Sequence, residues 1–315
     1  MIFMGSHIPP PIRRRVEGYR WIRSDGKPNW NQAVTSKIGE VLLIASKPAL
    51  TISKDSTVME LAELIATRNV RGVPVVESSG KIAGVITGTD LVNYLGGGTL
   101  FDIVAERYDY RLYDALKKER LESLIYKKPV VVRPDYKLDE VLRVMVEHGV
   151  GFIPIVDEEN NVLGVITEHD LVKHLAEKSV GRTVAEVMSK TVIGIEYSDT
   201  LWNAMKLMVK YGFRRLPVFR EEKLEGFVTA KIIVSFFGSH KAFEYIRTGD
   251  IREVLETPLR EVYAPLYVYS YPNEDVGEAV TKMIKHGMSG IPVVEDDTVV
   301  GIITERDALY ALVTR

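Results

Sequence analysis

Three seven-residue segments with the same order of side chains contain the groups of this 315-residue chain that are best suited to hold a polar ligand. Each begins with glycine, continues with two apolar residues and a threonine, and ends with aspartate; the segments span 84–90, 164–170 and 301–307. A carboxylate only accepts hydrogen bonds and a hydroxyl both donates and accepts, so the pair suits a ligand with hydroxyl or phosphate groups. Both residue types are also common helix N-caps, which leaves a purely structural role as the alternative.

Motifs of several enzyme classes are missing from the sequence. Neither the phosphate loop Gly-x4-Gly-Lys-Ser/Thr nor Gly-x-Gly-x-x-Gly occurs, and the six histidines show no His-Glu-x-x-His spacing. The absence of cysteine removes thiolate chemistry and sulfur ligands for zinc. We therefore predict a protein that is not an enzyme, with no catalytic residues, no metal site and no cofactor.

Composition and charge restrict the partners. Lys and Arg number 41 against 43 Asp and Glu, so the formal charge of -2 provides no global attraction to nucleic acid or anionic lipid. No stretch approaches the roughly 18 consecutive apolar residues that a membrane span needs. The missing cysteines fit a reducing compartment, and the first residues lack the apolar centre of a signal peptide. These features predict a cytoplasmic protein without a membrane partner.

Four apolar stripes with the spacing of one helical face repeat along the chain. They begin at Val58, Leu138, Leu201 and Val276. Polar residues three positions earlier are predicted N-caps: Asp55, Asp135, Ser198 and Asn273. Residues eleven positions later are predicted helix ends, because they tolerate the left-handed conformation: Asn69, Gly149, Gly212 and Gly287.

A predicted β-hairpin follows each of these helices. Its first strand contains a proline among β-branched residues, and its second strand begins with a glycine after a polar turn. A short apolar run precedes each helix, and a second helical pattern follows each hairpin. The register agrees in all four copies, so we predict an α/β (α+β) fold made of four β-α-β-β-α repeats.

The closing segment Gly-apolar-apolar-Thr-x-x-Asp resembles the signature of the cystathionine-β-synthase (CBS) domain family. Copies one, two and four have it complete, whereas copy three has Ile232 where the aspartate would stand. The resemblance implies that the copies pair into two Bateman modules with clefts between them. The number and order of copies are similar to the gamma subunit of AMP-activated protein kinase and its stand-alone archaeal relatives.

The repeats and the resemblance together predict the domain boundaries. A basic and aromatic extension spans 1–37, the first module spans 38–179, and the second spans 180–315. Within the first module, copy one covers 40–98, a helical insert 99–119 and copy two 120–178. Within the second, copy three covers 182–239, an insert 240–255 and copy four 256–315.

The resemblance also implies roles for individual residues. Ribose hydroxyls would be bound by Asp90, Asp170 and Asp307. Phosphate would be bound by Thr87, Thr167, Thr304, Arg71, Arg214, Arg215 and Arg306. The leading strand of the partner copy would supply the adenine slot, through Leu50, Val130, Val192 and Ile193. The alternatives are capping for the threonines and aspartates, solvated charge for the arginines and plain core for the apolar residues.

From these residues we expect a non-catalytic sensor that binds AMP, ADP or ATP and regulates an unidentified protein. The resemblance favours self-association into a homodimer. An empty or altered cleft is expected beside Ile232. The alternative ligands are another adenosine compound such as S-adenosylmethionine, or nucleic acid bound by the basic extension, which is the less favoured.

Overall fold

The computed structural model describes residues 40–125, 128–173, 179–265 and 268–313. The predicted extension 1–37 lies outside the described residues. None of the helices within the described ranges is long and apolar enough to cross a membrane.

The first module contains two copies of the unit with a helical insert between them, and in copy two the predicted leading strand is reduced to a single backbone bridge between Val132 and Ile155. Copy one consists of α1 (Glu40–Ile44), β1 (Ile52–Ser53), α2 (Val58–Arg68), β2 (Gly72–Val76), β3 (Ile82–Thr87) and α3 (Gly88–Val92), which continues as a π-helix (Asn93–Gly97). The insert contains α4 (Phe101–Tyr108) and α5 (Leu112–Lys118). Copy two starts with a 3-10 turn (Leu121–Leu124), followed by α6 (Leu138–His148), β4 (Phe152–Val156), β5 (Val162–Thr167) and α7 (Glu168–Val172).

The second module repeats this order. Copy three consists of α8 (Val184–Val187), β6 (Ile195–Glu196), α9 (Leu201–Tyr211), β7 (Arg215–Arg220), β8 (Lys223–Thr229) and α10 (Ala230–Gly238). The insert contains a 3-10 turn (Lys241–Tyr245) and α11 (Ile251–Leu255). Copy four consists of a 3-10 turn (Leu259–Glu261), β9 (Ala264–Pro265), α12 (Val276–Lys285), β10 (Gly290–Glu295), β11 (Thr298–Thr304) and α13 (Glu305–Val313).

Three of the four predicted helix ends are confirmed, and the predicted N-caps are wrong by two residues. Asn69, Gly149 and Gly212 are left-handed C-caps. The fourth helix instead ends at the C-cap His286, and the left-handed Gly287, with φ +63°, follows one residue later. The N-caps are Thr57, Lys137, Thr200 and Asp275 rather than Asp55, Asp135, Ser198 and Asn273. A cap must stand directly before the first helical residue, because its side chain has to reach an amide two or three residues further on.

The leading segment of each copy crosses the second hairpin strand of its partner copy, and this contact pairs copies one and two, and three and four. Backbone bridges join Ser46 to Val165, Ser189 to Ile302, and strand β9 to β8. In copy one the signature glycine, Gly84, is approached by the side chain of Ile125 from copy two instead of a backbone bridge. A Cβ on Gly84 would lie 2.7 Å from the Cγ2 of Ile125. The signature glycine is therefore required by close approach of the partner copy.

Helices join the two modules into one body. Helix α2 of copy one packs on α10 of copy three, and α7 of copy two packs on α13 of copy four. One buried apolar cluster accordingly combines copies one and three, and a second combines copies two and four. The sheets thus hold the copies of a module together, whereas the two main cores are shared between modules.

Candidate functional site

A cavity of about 860 Å³ lies where the four copies meet. Its wall includes the closing segment of copy one, the leading segment of copy two, the region around the third helix end and the corresponding region of copy four. The cavity depends on the packing of one module against the other, because neither module alone supplies all of its walls.

Positive charge dominates the lining. The cationic side chains on it are Arg71, Lys128, Lys210, Arg214, Arg215, Lys231 and Arg306. Asp90 is the carboxylate among the lining residues, and two further glutamates lie behind three of the arginines. The seven cations face three carboxylates, an excess of four positive charges that suits a polyanionic ligand.

Glu168 and Glu305 hold the arginines from behind. Arg214 Nη2 donates to Glu168 at 2.6 Å and Arg306 Nε donates to its other oxygen at 2.5 Å. Arg71 donates two hydrogen bonds to Glu305 at 2.6 and 3.1 Å, and His169 Nδ1 lies 2.6 Å from the same carboxylate. Both glutamates are 1% exposed, whereas the side chains of Arg71 and Arg214 are 30% and 28% exposed, so the ion pairs are buried on the glutamate side.

The arginines determine the ionisation of these glutamates. Burial disfavours the charged form of Glu168, but the charges of Arg306 and Arg214 outweigh it and lower the pKa of this carboxyl. Burial likewise opposes ionisation of Glu305, and the hydrogen bonds from His169 and Arg71 lower its pKa. Both carboxyls are therefore ionised at neutral pH, and the arginines on the cavity wall are partly neutralised.

The signature threonines and aspartates cap their helices in all three complete copies. Asp90 Oδ2 accepts from the amide and hydroxyl of Thr87 at 2.8 and 2.6 Å. The same pair of bonds is 2.9 and 2.6 Å long in Thr167–Asp170 and in Thr304–Asp307. The capping alternative is thus realised, although a carboxylate offers about four acceptor sites and can also bind a ligand.

Only part of the predicted site is brought together in the cavity. Thr87, Asp90, Val130 and the arginines at 71, 214, 215 and 306 line it. The remaining predicted residues lie outside its lining: Leu50, Thr167, Asp170, Val192, Ile193, Thr304 and Asp307. Asp170 and Asp307 are 7% and 9% exposed, and Val192 packs in a small core cluster with Phe219 and Val299.

The copy-three corner of the cavity differs from the copy-one corner. Ile232 stands where copy one has Asp90, and the neighbouring wall is formed by Phe227, Ala264 and Pro265. Thr229 still caps the helix, since its hydroxyl accepts from the amide of Ile232 at 3.1 Å. This corner is therefore apolar where its counterpart has a carboxylate.

Several residues of the cavity and its wall were missed by sequence reasoning. Lys210, Tyr211 and Lys231 line it, and burial together with the charge of Arg71 lowers the pKa of Lys231.

Glu168 and Glu305 were also missed, although the sequence contains a signal for them. Two sequence positions vary together among the copies: the third residue before the hairpin proline and the residue after the signature threonine. Copies one and three have an arginine at the first position and a small residue, Gly88 or Ala230, at the second. Copies two and four have a small residue, Gly151 or Ser289, at the first position and one of these glutamates at the second.

The structure is that of four paired α/β repeats around a central cationic cavity. A model of the CBS domain matches residues 38–97, 121–177, 184–239 and 251–314. The chain therefore belongs to the CBS domain family.

Two similar proteins match most of the chain. An uncharacterized 33.4 kDa protein in a ribosomal RNA operon of Thermofilum pendens is 32% identical over 277 residues, covering 88% of this chain and 92% of the relative. Protein MJ1225 of Methanocaldococcus jannaschii is 26% identical over 267 residues, covering 84% of this chain and 95% of the relative.

Two solved structures resemble this chain over most of its length. The crystal structure of MJ1225, described as a candidate archaeal homologue of g-AMPK, superposes with a TM-score of 0.80 at 26% identity and covers 85% of this chain and 98% of that chain. An uncharacterized conserved protein from Pyrococcus horikoshii superposes with a TM-score of 0.53 at 19% identity and covers 85% of this chain and 97% of that chain, which shows a shared fold.

Proposed function

We propose that this chain is a non-catalytic regulatory protein that binds AMP, ADP or ATP between paired repeats. The observation that carries the proposal is the position of Asp90 and Thr87 on the wall of a cavity whose other walls hold an excess of cations. A nucleotide needs acceptors for its ribose hydroxyls and donors for its phosphate, and this cavity offers both.

In this proposal the nucleoside lies in the copy-one corner. Asp90 accepts hydrogen bonds from the ribose hydroxyls, and the base packs on Val130 of the partner copy. The phosphate then points towards Arg71, Arg214 and Arg215 at the centre, where charge-assisted hydrogen bonds favour it. The likeness to MJ1225 supports the same assignment, because that protein is described as a candidate homologue of g-AMPK.

The copy-two and copy-four clefts are proposed as further ribose sites. Asp170 and Asp307 have the same hydrogen bonds to their threonines as Asp90 has. In these copies, however, the signature threonine is followed directly by Glu168 or Glu305, whereas Thr87 is followed by Gly88. A phosphate at Thr167 or Thr304 would lie beside a buried carboxylate, so we expect weaker binding of nucleotides there than in the central cavity.

Regulation would follow from the position of the cavity between the modules. A ligand that contacts both modules stabilises the arrangement in which its binding groups come together, and so biases how the modules associate with each other or with a regulated protein. The family likeness favours a homodimer as the assembled form. The lack of cysteine supports a reducing, cytoplasmic setting for this sensor.

Thermal unfolding with AMP, ATP, S-adenosylmethionine or an oligonucleotide tests the proposal. AMP or ATP at about 100 times its Kd should stabilise the protein by about 2.7 kcal/mol, and Asp90→Ala should abolish most of this effect. Thr57→Ala is the control, because it removes an N-cap outside the cavity and should leave the ligand effect intact. Stabilisation by S-adenosylmethionine alone would refute the phosphate assignment, and stabilisation by the oligonucleotide alone would move the function to another surface.

A further inference from the structure

The two corners of the central cavity offer different chemistry to a ligand. The copy-one corner has Asp90 and Val130, whereas the copy-three corner has Ile232, Phe227 and Pro265. The corners belong to one cavity, and they adjoin where Gly88 meets Ala230, since a Cβ on that glycine would lie 3.6 Å from the alanine Cβ. One ligand could therefore occupy both corners.

Two residues of copy three that line the cavity have buried hydrogen-bond donors. The hydroxyl of Tyr211 is buried without a hydrogen-bond partner among the described residues, and so is Nε of Arg214. Tyr211 is only 7% exposed, and both residues line the cavity. A buried donor without a partner is costly, so these groups indicate an acceptor that a bound ligand supplies. Together with Lys210 and Arg215 they suit a phosphate chain rather than a single phosphate.

The copy-three corner is poorly suited to a second sugar. A ribose placed there would turn its hydroxyls towards the side chain of Ile232 instead of a carboxylate, and buried hydroxyls without partners are strongly disfavoured. The volume of about 860 Å³ nevertheless lies near the upper end of the range for ligand pockets, which is about 300 to 1,000 Å³. The corner should accept an apolar group instead.

We propose that the central cavity binds one elongated ligand: an adenosine 5'-diphosphate or longer phosphate ester whose terminal phosphate carries an apolar group. Its nucleoside contacts Asp90, its phosphate chain contacts the arginines and Tyr211, and its apolar group packs on Ile232 and Phe227. This inference rests on the proposed function and specifies the ligand class of the same cavity.

Calorimetric titration with three probes tests the inference: ADP, the hexyl ester of ADP, and ADP-ribose. The hexyl ester should bind at least tenfold more tightly than ADP, because burial of methylene groups on Ile232 and Phe227 outweighs the loss of one negative charge. ADP-ribose, whose second group is a polar sugar, should bind no more tightly than ADP. Tyr211→Phe should weaken the binding of ADP and its hexyl ester several-fold without changing the preference between them.

Ile232→Asp is the matched variant for the apolar corner. It restores the aspartate that copies one, two and four have, next to a threonine that already caps the helix, so the fold should be retained. The variant should lose the preference for the hexyl ester and gain affinity for ADP-ribose. If ADP binds the wild type but the hexyl ester binds no better, the inference is wrong and the proposed function stands. If neither ADP nor its hexyl ester binds, the inference is wrong, and failure of AMP and ATP to bind as well would refute the proposed function.

Discussion

Arg71 of the first module donates two hydrogen bonds, 2.6 and 3.1 Å long, to Glu305 of the second, which stands 234 residues further along the chain. Arg214, at the same register position in copy three, reaches back to Glu168 of the first module. The two modules are thus joined by reciprocal buried ion pairs. Because the same arginines line the central cavity, the groups that hold the modules together are also those that would receive a phosphate.

Removing one partner of this contact should destabilise the fold. Glu305→Gln leaves the guanidinium of Arg71 without its counter-charge, and breaking a fully buried ion pair from one side costs about 3 to 5 kcal/mol. The cost should be smaller here, because the side chain of Arg71 is 30% exposed and solvent screens its charge. We expect the urea midpoint of unfolding to fall accordingly. The control is Glu122→Gln, which breaks the more exposed pair with Lys54 and should leave the midpoint unchanged. Equal midpoints for both variants would show that the buried pair contributes nothing to the contact between modules.

Stability should fall at acid pH as protons reach these glutamates. The native pKa of Glu168 and of Glu305 is lowered from the ordinary value of 4.5, so the unfolded chain takes up protons first. Their contribution is complete above the unfolded pKa and is lost as pH falls through the native pKa. Urea unfolding measured from about pH 7 to about pH 3 should show this decline, and it should be smaller in a Glu168→Gln, Glu305→Gln double variant. An identical decline in wild type and variant would assign acid sensitivity to other groups.

The same glutamates should weaken the binding of phosphate. In Glu168→Gln, Arg214 and Arg306 lose a competing negative charge, so AMP and ATP should bind several-fold more tightly by calorimetry, even though the fold is less stable. The effect should be larger for ATP, which carries more charge, and should shrink at high salt. Unchanged or weaker affinity would indicate that the arginines do not contact the phosphate.

The signature glycines should tolerate alanine in proportion to the space that the partner copy leaves. A Cβ on Gly226 would lie 2.9 Å from the carbonyl carbon of Ala264, whereas on Gly164 it would lie 3.3 Å from the carbonyl oxygen of Ser46. Overpacking costs about 1 to 3 kcal/mol, so Gly226→Ala should lower the free energy of unfolding more than Gly164→Ala. Urea unfolding measures both losses. A larger loss in Gly164→Ala than in Gly226→Ala would contradict the view that the crossing leading segment requires glycine at these positions.

The fold could be predicted from the sequence because its signals are local and repeated. Helical stripes, left-handed helix ends such as Gly149 and Gly212, and the signature glycine recur in register, so errors in one copy are corrected by the others. The N-cap error has the opposite origin. Asp55 and Thr57 are both of residue types that cap helices well, so composition does not distinguish them. Thr57 is the N-cap because the first helical turn begins at Val58.

The site was only partly predictable, because its central contacts are long-range. Which cation would meet which glutamate depends on how copy one packs against copies three and four, and one sequence contains no record of that packing. Val192 illustrates a related difficulty: an apolar residue beside a cleft and one inside a core have the same side chain, and only the structure shows this one packed against Phe219.

A crystal structure of the protein soaked with AMP would show whether the central cavity binds a nucleotide. We expect density for AMP in this cavity, with ribose hydroxyls within hydrogen-bond distance of Asp90, the base on Val130 and the phosphate against Arg71, Arg214 or Arg215. An empty central cavity under conditions in which AMP binds elsewhere on the protein, or does not bind, would contradict it.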